Sequence, residues 1–265
     1  MEQKKYHRGR RKKKKTDIIS TVVLIIAIVV FCISGYQLYK IFGGYHEGKS
    51  EYDKVRELAI SGDDKETDEG GDTFGVDFDE LKKINTDTVG WIRFYPEPSQ
   101  ISYPLVQTTD NDLYLNRTFS ANENTVGAIF VNCYNASDFS DRNTIIYGHR
   151  MKDHSMFHDL EKYADESFWK ENPYFYIYTT DGRKLTCHIY SAGIVKDTSN
   201  SYLTQFASDE EYQSFLDDTK RAGAYNTGVE VSTEQRVVTL STCTAASDDN
   251  RMVVRGVIES EDVVK

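Results

Sequence analysis

No internal repeat, no glycine-rich phosphate loop and no dinucleotide-binding fingerprint occurs in the 265 residues, so nothing points to a repeat array or to nucleotide chemistry. Basic residues are scarce outside the first 17 positions. Those positions hold nine Lys or Arg and two acidic residues; removing them from totals of 32 and 42 leaves 23 basic against 40 acidic, a net of −17. An acidic body of this kind disfavours polyanionic partners, and no nucleic acid is expected. Cysteine is also sparse, at four. Cys32 lies in an apolar run, and the other three (Cys133, Cys187 and Cys243) cannot all pair with one another. Cys133 and Cys187 could bridge, or could both be small buried hydrophobes; their strand-like apolar surroundings favour the second. Either way one thiol is left over, and Cys243 has the chemical context.

Long hydrophobic runs are absent but for one. Residues 18–39 carry no charge over 22 positions, against the roughly 20 needed to cross a bilayer as a helix. The basic flank before them, ending in Arg10-Arg11-Lys12-Lys13-Lys14-Lys15, is read as topogenic. It keeps residues 1–17 in the cytoplasm and places the remainder outside. A cleaved signal peptide would share these features, but residues 37–42 lack a small-x-small cleavage site, so a retained single-pass anchor is expected. The expected layout is therefore a tail (1–17), an anchor (18–39), a juxtamembrane helix with a linker (40–75) and an exterior domain (76–265).

Within that layout residues 47–60 read as a short helix, and 61–75 (SGDDKETDEGGDTFG) as an acidic, glycine-rich spacer unable to build a core. A short amphipathic helix follows Asp77. Strands then dominate, with candidates at 91–95, 103–107, 126–132, 144–147, 174–179, 184–195, 236–241 and 251–259, rich in Val, Ile, Tyr and Phe. Eight strands in about 190 residues argue for one barrel or sandwich. A capping box at Ser208-Asp209-Glu210-Glu211 starts a helix over 209–222, and a shorter helix is expected over 155–163.

Chemistry concentrates around Thr239-Leu240-Ser241-Thr242-Cys243. A lone cysteine in an apolar strand is more often an inert core residue. Here a polar loop follows, and a returning strand begins with Arg251. A thiolate is a strong nucleophile, a guanidinium can hold an oxyanion, and His149, freed to turn by Gly148, can shuttle protons. Arg255 shares Arg251's parity but lies about 13 Å further along. Cys187 and His188 are adjacent on a strand and face opposite ways. His154 and His158 have a spacing compatible with zinc, but no third ligand is evident, so neither a metal nor another cofactor is expected.

These segments resemble the class B sortases over residues 77–259. The likeness rests on Val89-Gly90-Trp91-Ile92, Asp110-Asn111-Asp112-Leu113-Tyr114-Leu115, Gly127-Ala128-Ile129-Phe130 and the run from Asp138 to Thr144. It continues through Tyr147-Gly148-His149-Arg150-Met151, Ser155-Met156-Phe157, the TLSTC pentapeptide and Arg251-Met252-Val253-Val254. The resemblance implies a mainly β fold with peripheral helices: an eight-stranded barrel, an N-terminal helical segment and an inserted helix before the catalytic strand. It implies a cysteine transpeptidase with Cys243 as nucleophile, His149 as proton donor and Arg251 as oxyanion partner. Ser241 and Asn111 fall on positions lining the substrate groove in relatives. Implied partners are secreted proteins bearing an Asn-Pro-x-Thr-like C-terminal sorting signal, and a peptidoglycan precursor or other amine acceptor. The residue types alone also fit a thiol peptidase that only hydrolyses. Pilus polymerisation is a further variant, and a non-catalytic binding domain is the third reading.

Overall fold

The barrel strands carry the β-branched and aromatic residues that fit a pleated surface, and the computed structural model shows where each one sits. It describes residues 14–61, 74–245, 247 and 249–264; the tail through residue 13 and most of the acidic spacer lie outside them. Two compact units are present, Met1–Gly43 and Gly44–Lys265. The first is occupied by the apolar part of helix α1 (Lys14–Ala59). Its side chains, among them Leu24, Ile26, Val30 and Phe31, are exposed, and the helix is long and apolar enough to cross a membrane.

In the second unit, a two-residue pair, β1 (Ile60–Ser61) with β2 (Gly75–Val76), leads to α2 (Phe78–Ile84), whose N-terminus is capped by the Asp77 carboxylate. Eight strands then close a barrel. They are β3 (Thr88–Phe94), β4 (Ser102–Val106), β5 (Ile129–Val131), β6 (Asn143–Tyr147), β7 (Tyr174–Thr179), β8 (Arg183–Lys196), β9 (Val237–Cys243) and β10 (Asn250–Val263). The order around it is β10-β8-β7-β3-β4-β5-β6-β9, returning to β10. Pairs β4–β5 and β6–β9 are parallel and the rest antiparallel.

Both faces of β9 are covered, which is why its first six residues are all buried. Val238 and Leu240 enter the main core with Trp91, Leu105, Ile129 and Phe175. Val237 points the other way, into a smaller core with Tyr190, Tyr212, Phe215 and Val257. That outer core is roofed by α4 (Asp209–Arg221), in which Ser208 Oγ accepts from the Glu211 N–H at 3.2 Å. Glu211 in turn accepts from the Ala207 N–H at 2.6 Å, so the capping box forms one residue wider than its usual pairing.

Three expectations need correction. The 126–132 strand shrinks to Ile129–Val131, because Gly127 adopts φ +67° and turns the chain. The helix expected over 155–163 is a 3₁₀ helix at His158–Ala164, followed by α3 (Glu166–Glu171). Phe157, Leu160 and Tyr163 are fully buried at three-residue spacing, which suits the eclipsed i, i+3 stacking of a 3₁₀ turn better than an α-helix. The juxtamembrane helix over 47–60 is not a separate element but the end of α1. Its residues Tyr52, Val55 and Ala59 are buried in the barrel unit's core, and the Tyr52 hydroxyl accepts from the Phe119 N–H and donates to the Gly127 carbonyl (3.1 and 2.7 Å).

Candidate active site

Register brings three distant residues to one end of β9. Arg251 on β10 pairs directly with Cys243, so the two side chains share a face. On the other flank β6 runs parallel to β9, with Tyr147 opposite Ser241. The Gly148 N–H extends that ladder to the Ser241 carbonyl at 3.2 Å. The residue pairing ends there, and His149 and Cys243 each follow two residues beyond its last pair. Neighbouring strands lie about 4.8 Å apart. Cys243 is exposed while the rest of β9 is buried, so the accessible end of the strand is the one paired with Arg251.

His149 has a defined seat. Its Nε2 lies 2.6 Å from the Leu115 carbonyl. A carbonyl only accepts, so Nε2 of the neutral ring carries the proton and Nδ1 is left free to accept one. Gly127 forms the floor of this seat, since a Cβ there would come within 2.7 Å of His149 Cδ2 and 2.8 Å of the Tyr114 carbonyl. Tyr52 of α1 holds the Gly127 carbonyl from behind. The loop carrying Leu115 is pinned to the same helix through Glu51, which accepts from Thr118 Oγ1 and the Ser120 N–H at 2.9 Å.

Arg251 is half-buried; its Nη2 lies 3.7 Å from an Asp197 carboxylate oxygen and its Nη1 donates to the Asn250 carbonyl at 3.1 Å. Ser241 is buried, and its hydroxyl is 2.9 Å from that of Tyr202. The Tyr202 ring stacks on Tyr147 at 6.3 Å, and Tyr147 in turn meets Phe130. Asn111 sits apart from this cluster. It accepts from the Cys133 N–H at 2.9 Å and donates to Asn132 Oδ1 at 3.2 Å, tying the segment after β5 to the loop after β4. Arg255, the rival cation, is wholly buried under Ser201, to which it donates at 2.6 Å.

Comparison with known proteins matches the sortase domain to residues 98–259. Sortase B of Listeria monocytogenes is 36% identical over 181 residues, spanning 67% of this chain and 72% of the relative. Sortase B of Staphylococcus aureus is 32% identical over 228 residues, spanning 86% and 91%. The chain belongs to the class B sortases. A solved Staphylococcus aureus sortase B–substrate complex superposes with a TM-score of 0.64 at 35% identity, covering 71% of this chain and 85% of that one. The closed eight-stranded barrel with its helices is the sortase B fold. Family membership makes the protein a transpeptidase that anchors or processes surface proteins.

In this sortase all four cysteines are free. Burial pushes the Cys187 thiol far up, out of thiolate chemistry, while Cys133 is half-buried. The Leu115 carbonyl, Gly127 and Tyr202 are the neighbours that sequence reading missed as parts of the site. A backbone carbonyl has no side-chain signature. Gly127 and Leu115 do lie within the segments that carry the family likeness, which is the one signal that pointed to them. Gly127→Ala is expected to lower stability by about 2–4 kcal/mol through left-handed strain plus overpacking. It should also displace the His149 ring. Thermal denaturation measures the first effect, and turnover of the folded fraction measures the second.

Proposed function

We propose that this sortase cleaves a C-terminal sorting signal after threonine and transfers the released acyl group to an amine through a thioester on Cys243. The observation that carries the proposal is the register that sets Arg251 opposite the exposed Cys243, with β6 running beside β9 up to two residues before His149. Cys243 gives its thiol proton to His149 Nδ1, the resulting thiolate attacks the threonine carbonyl carbon, and a C–S bond forms. Arg251 donates hydrogen bonds to the oxygen as it becomes an oxyanion. As the C–N bond breaks, His149 gives a proton to the departing amine, leaving a thioester. An acceptor amine then attacks that carbon and passes its surplus proton back to His149. The C–S bond breaks, returning the thiolate and leaving a new amide.

The substrate class proposed is a secreted protein with an Asn-Pro-x-Thr-like signal, and the acceptor is a peptidoglycan-type amine. The Staphylococcus aureus relative solved as a substrate complex supports the reading that this fold takes a substrate. The basic tail and α1 support a single-pass anchor with the N-terminus in the cytoplasm and the barrel outside. Surface-protein anchoring is preferred to pilus polymerisation. Ser241, beneath Tyr202, is proposed to shape the groove floor, and Asn111 to shape its wall by fixing the 132–133 backbone.

The test is to incubate the chain with a panel of sorting peptides, with and without an oligoglycine amine, and to follow products by mass spectrometry. Cleavage after threonine with an amide product bearing the amine is expected. Hydrolysis alone under saturating amine would replace the transferase reading with that of a thiol peptidase.

A further inference from the structure

Behind the His149 strand end lies a cluster of side chains that the proposed reaction does not use. His154, His158 and Asp159 each offer a ligand atom, and these atoms all lie within 4.8 Å of one another. The two imidazole rings are 4.0 Å apart between centroids. His154 Nδ1 lies 3.1 Å from Asp159 Oδ1. The carboxylate is 3% exposed, and its other oxygen, Oδ2, is held by Lys162 at 2.9 Å. His158 Nδ1 is buried and has no hydrogen-bond partner among the described residues.

An ion-pair network of His154, Asp159 and Lys162 accounts for the buried carboxylate, but it leaves the buried His158 nitrogen unexplained. We propose that the three side chains bind a divalent transition-metal ion of the zinc type. Two imidazole nitrogens and one carboxylate oxygen make a three-ligand set of this kind, with a fourth position left to water. Metal–ligand bonds of about 2.0–2.2 Å require the ligand atoms to draw closer than their widest present spacing. His154 supplies that freedom, since its side chain is 65% exposed. Lys162 then takes the role of the outer partner that orients a ligating carboxylate. The sequence spacing suggested the two histidines but not the third ligand; the 3₁₀ start at His158 is what turns Asp159 back toward His154.

The location gives the ion a consequence. The Phe157 N–H donates to the His149 carbonyl at 2.9 Å, and Arg150 bridges to Met156, so residues 150–156 form a closed loop hung from the His149 backbone. A metal joining His154 at the tip to His158 and Asp159 at its base would clamp that loop.

The experiment is a titration of the untagged full chain in detergent, carrying Cys243→Ala so that the exposed thiol cannot ligate, with cobalt(II) as the spectroscopic probe. Expected is a saturable visible ligand-field band at one equivalent, displaced by zinc, with zinc raising the thermal midpoint. His154→Ala, an exposed change that leaves the fold intact, should weaken binding at least about tenfold and remove the zinc-dependent shift. His188→Ala, a histidine already paired with Glu259 elsewhere, should leave the titration unchanged. A band that survives unaltered in both His154→Ala and His158→Ala, or no saturable band in the parent chain, overturns the proposal.

Discussion

Cys243→Ala should abolish transfer, with turnover falling by about ten-thousandfold or more, as when the nucleophile of a covalent mechanism is removed. Neither of the other two cysteines of the barrel unit is positioned to take its place. Cys187 is sealed in the core and its thiol is pushed up by burial, and Cys133 is half-buried beyond β5. The substitution falls on an exposed strand end, so the fold should be unaffected, and equal thermal midpoints would establish that. The decisive readout is the intact mass of the protein after mixing with a cleavable sorting peptide. Wild type gains the acyl fragment, and the variant gains nothing. An adduct on the variant would place the nucleophile elsewhere.

Arg251→Ala carries the second-largest expectation, a loss of roughly a hundred- to a thousandfold in kcat with little change in KM. That is the pattern of a donor whose hydrogen bond strengthens only as the oxyanion forms. Arg251→Lys should recover only part of the loss, because an ammonium keeps the charge but not the planar fork. Steady-state kinetics on both variants separates the readings. If Ala and Lys behaved alike and raised KM alone, Arg251 would be gripping the substrate's ground state. Asp197, 3.7 Å from the guanidinium, is positioned to orient the arginine, and the Asp197 N–H is itself tied to the Asp249 carbonyl.

Cys243 and Arg251 were legible in the sequence because they end and begin consecutive strands joined by a short polar loop, so antiparallel pairing aligns them. His149 was harder. Its strand lies beside β9 only through the parallel pairing of β6 with β9, which no local pattern encodes; family likeness alone singled it out. Strand positions were readable where both faces are apolar, and β7 matches its expected limits of 174–179. Boundaries failed where backbone conformation overrides composition. Gly127 cuts β5 short, and the positive φ of His154 and Met156 (66° and 57°) keeps an α-helix from starting at residue 155. The docking of 44–59 on the barrel was hidden because the acidic spacer after it reads as a boundary, although Tyr52 and Glu51 reach back across it.

The parallel β6–β9 pairing also governs when the site comes into being. Its partners, such as Asn143 and Val237, are 94 positions apart, and β10 must then zip onto both β9 and β8 to complete the ring. Contacts of such long sequence separation form late, after the loop entropy between them has been overcome. During synthesis His149 is made well before the strand bearing Cys243. The proposed partnership of His149 and Cys243 therefore waits on ring closure, since the β6–β9 pairing that sets their strands side by side is among the last contacts to form.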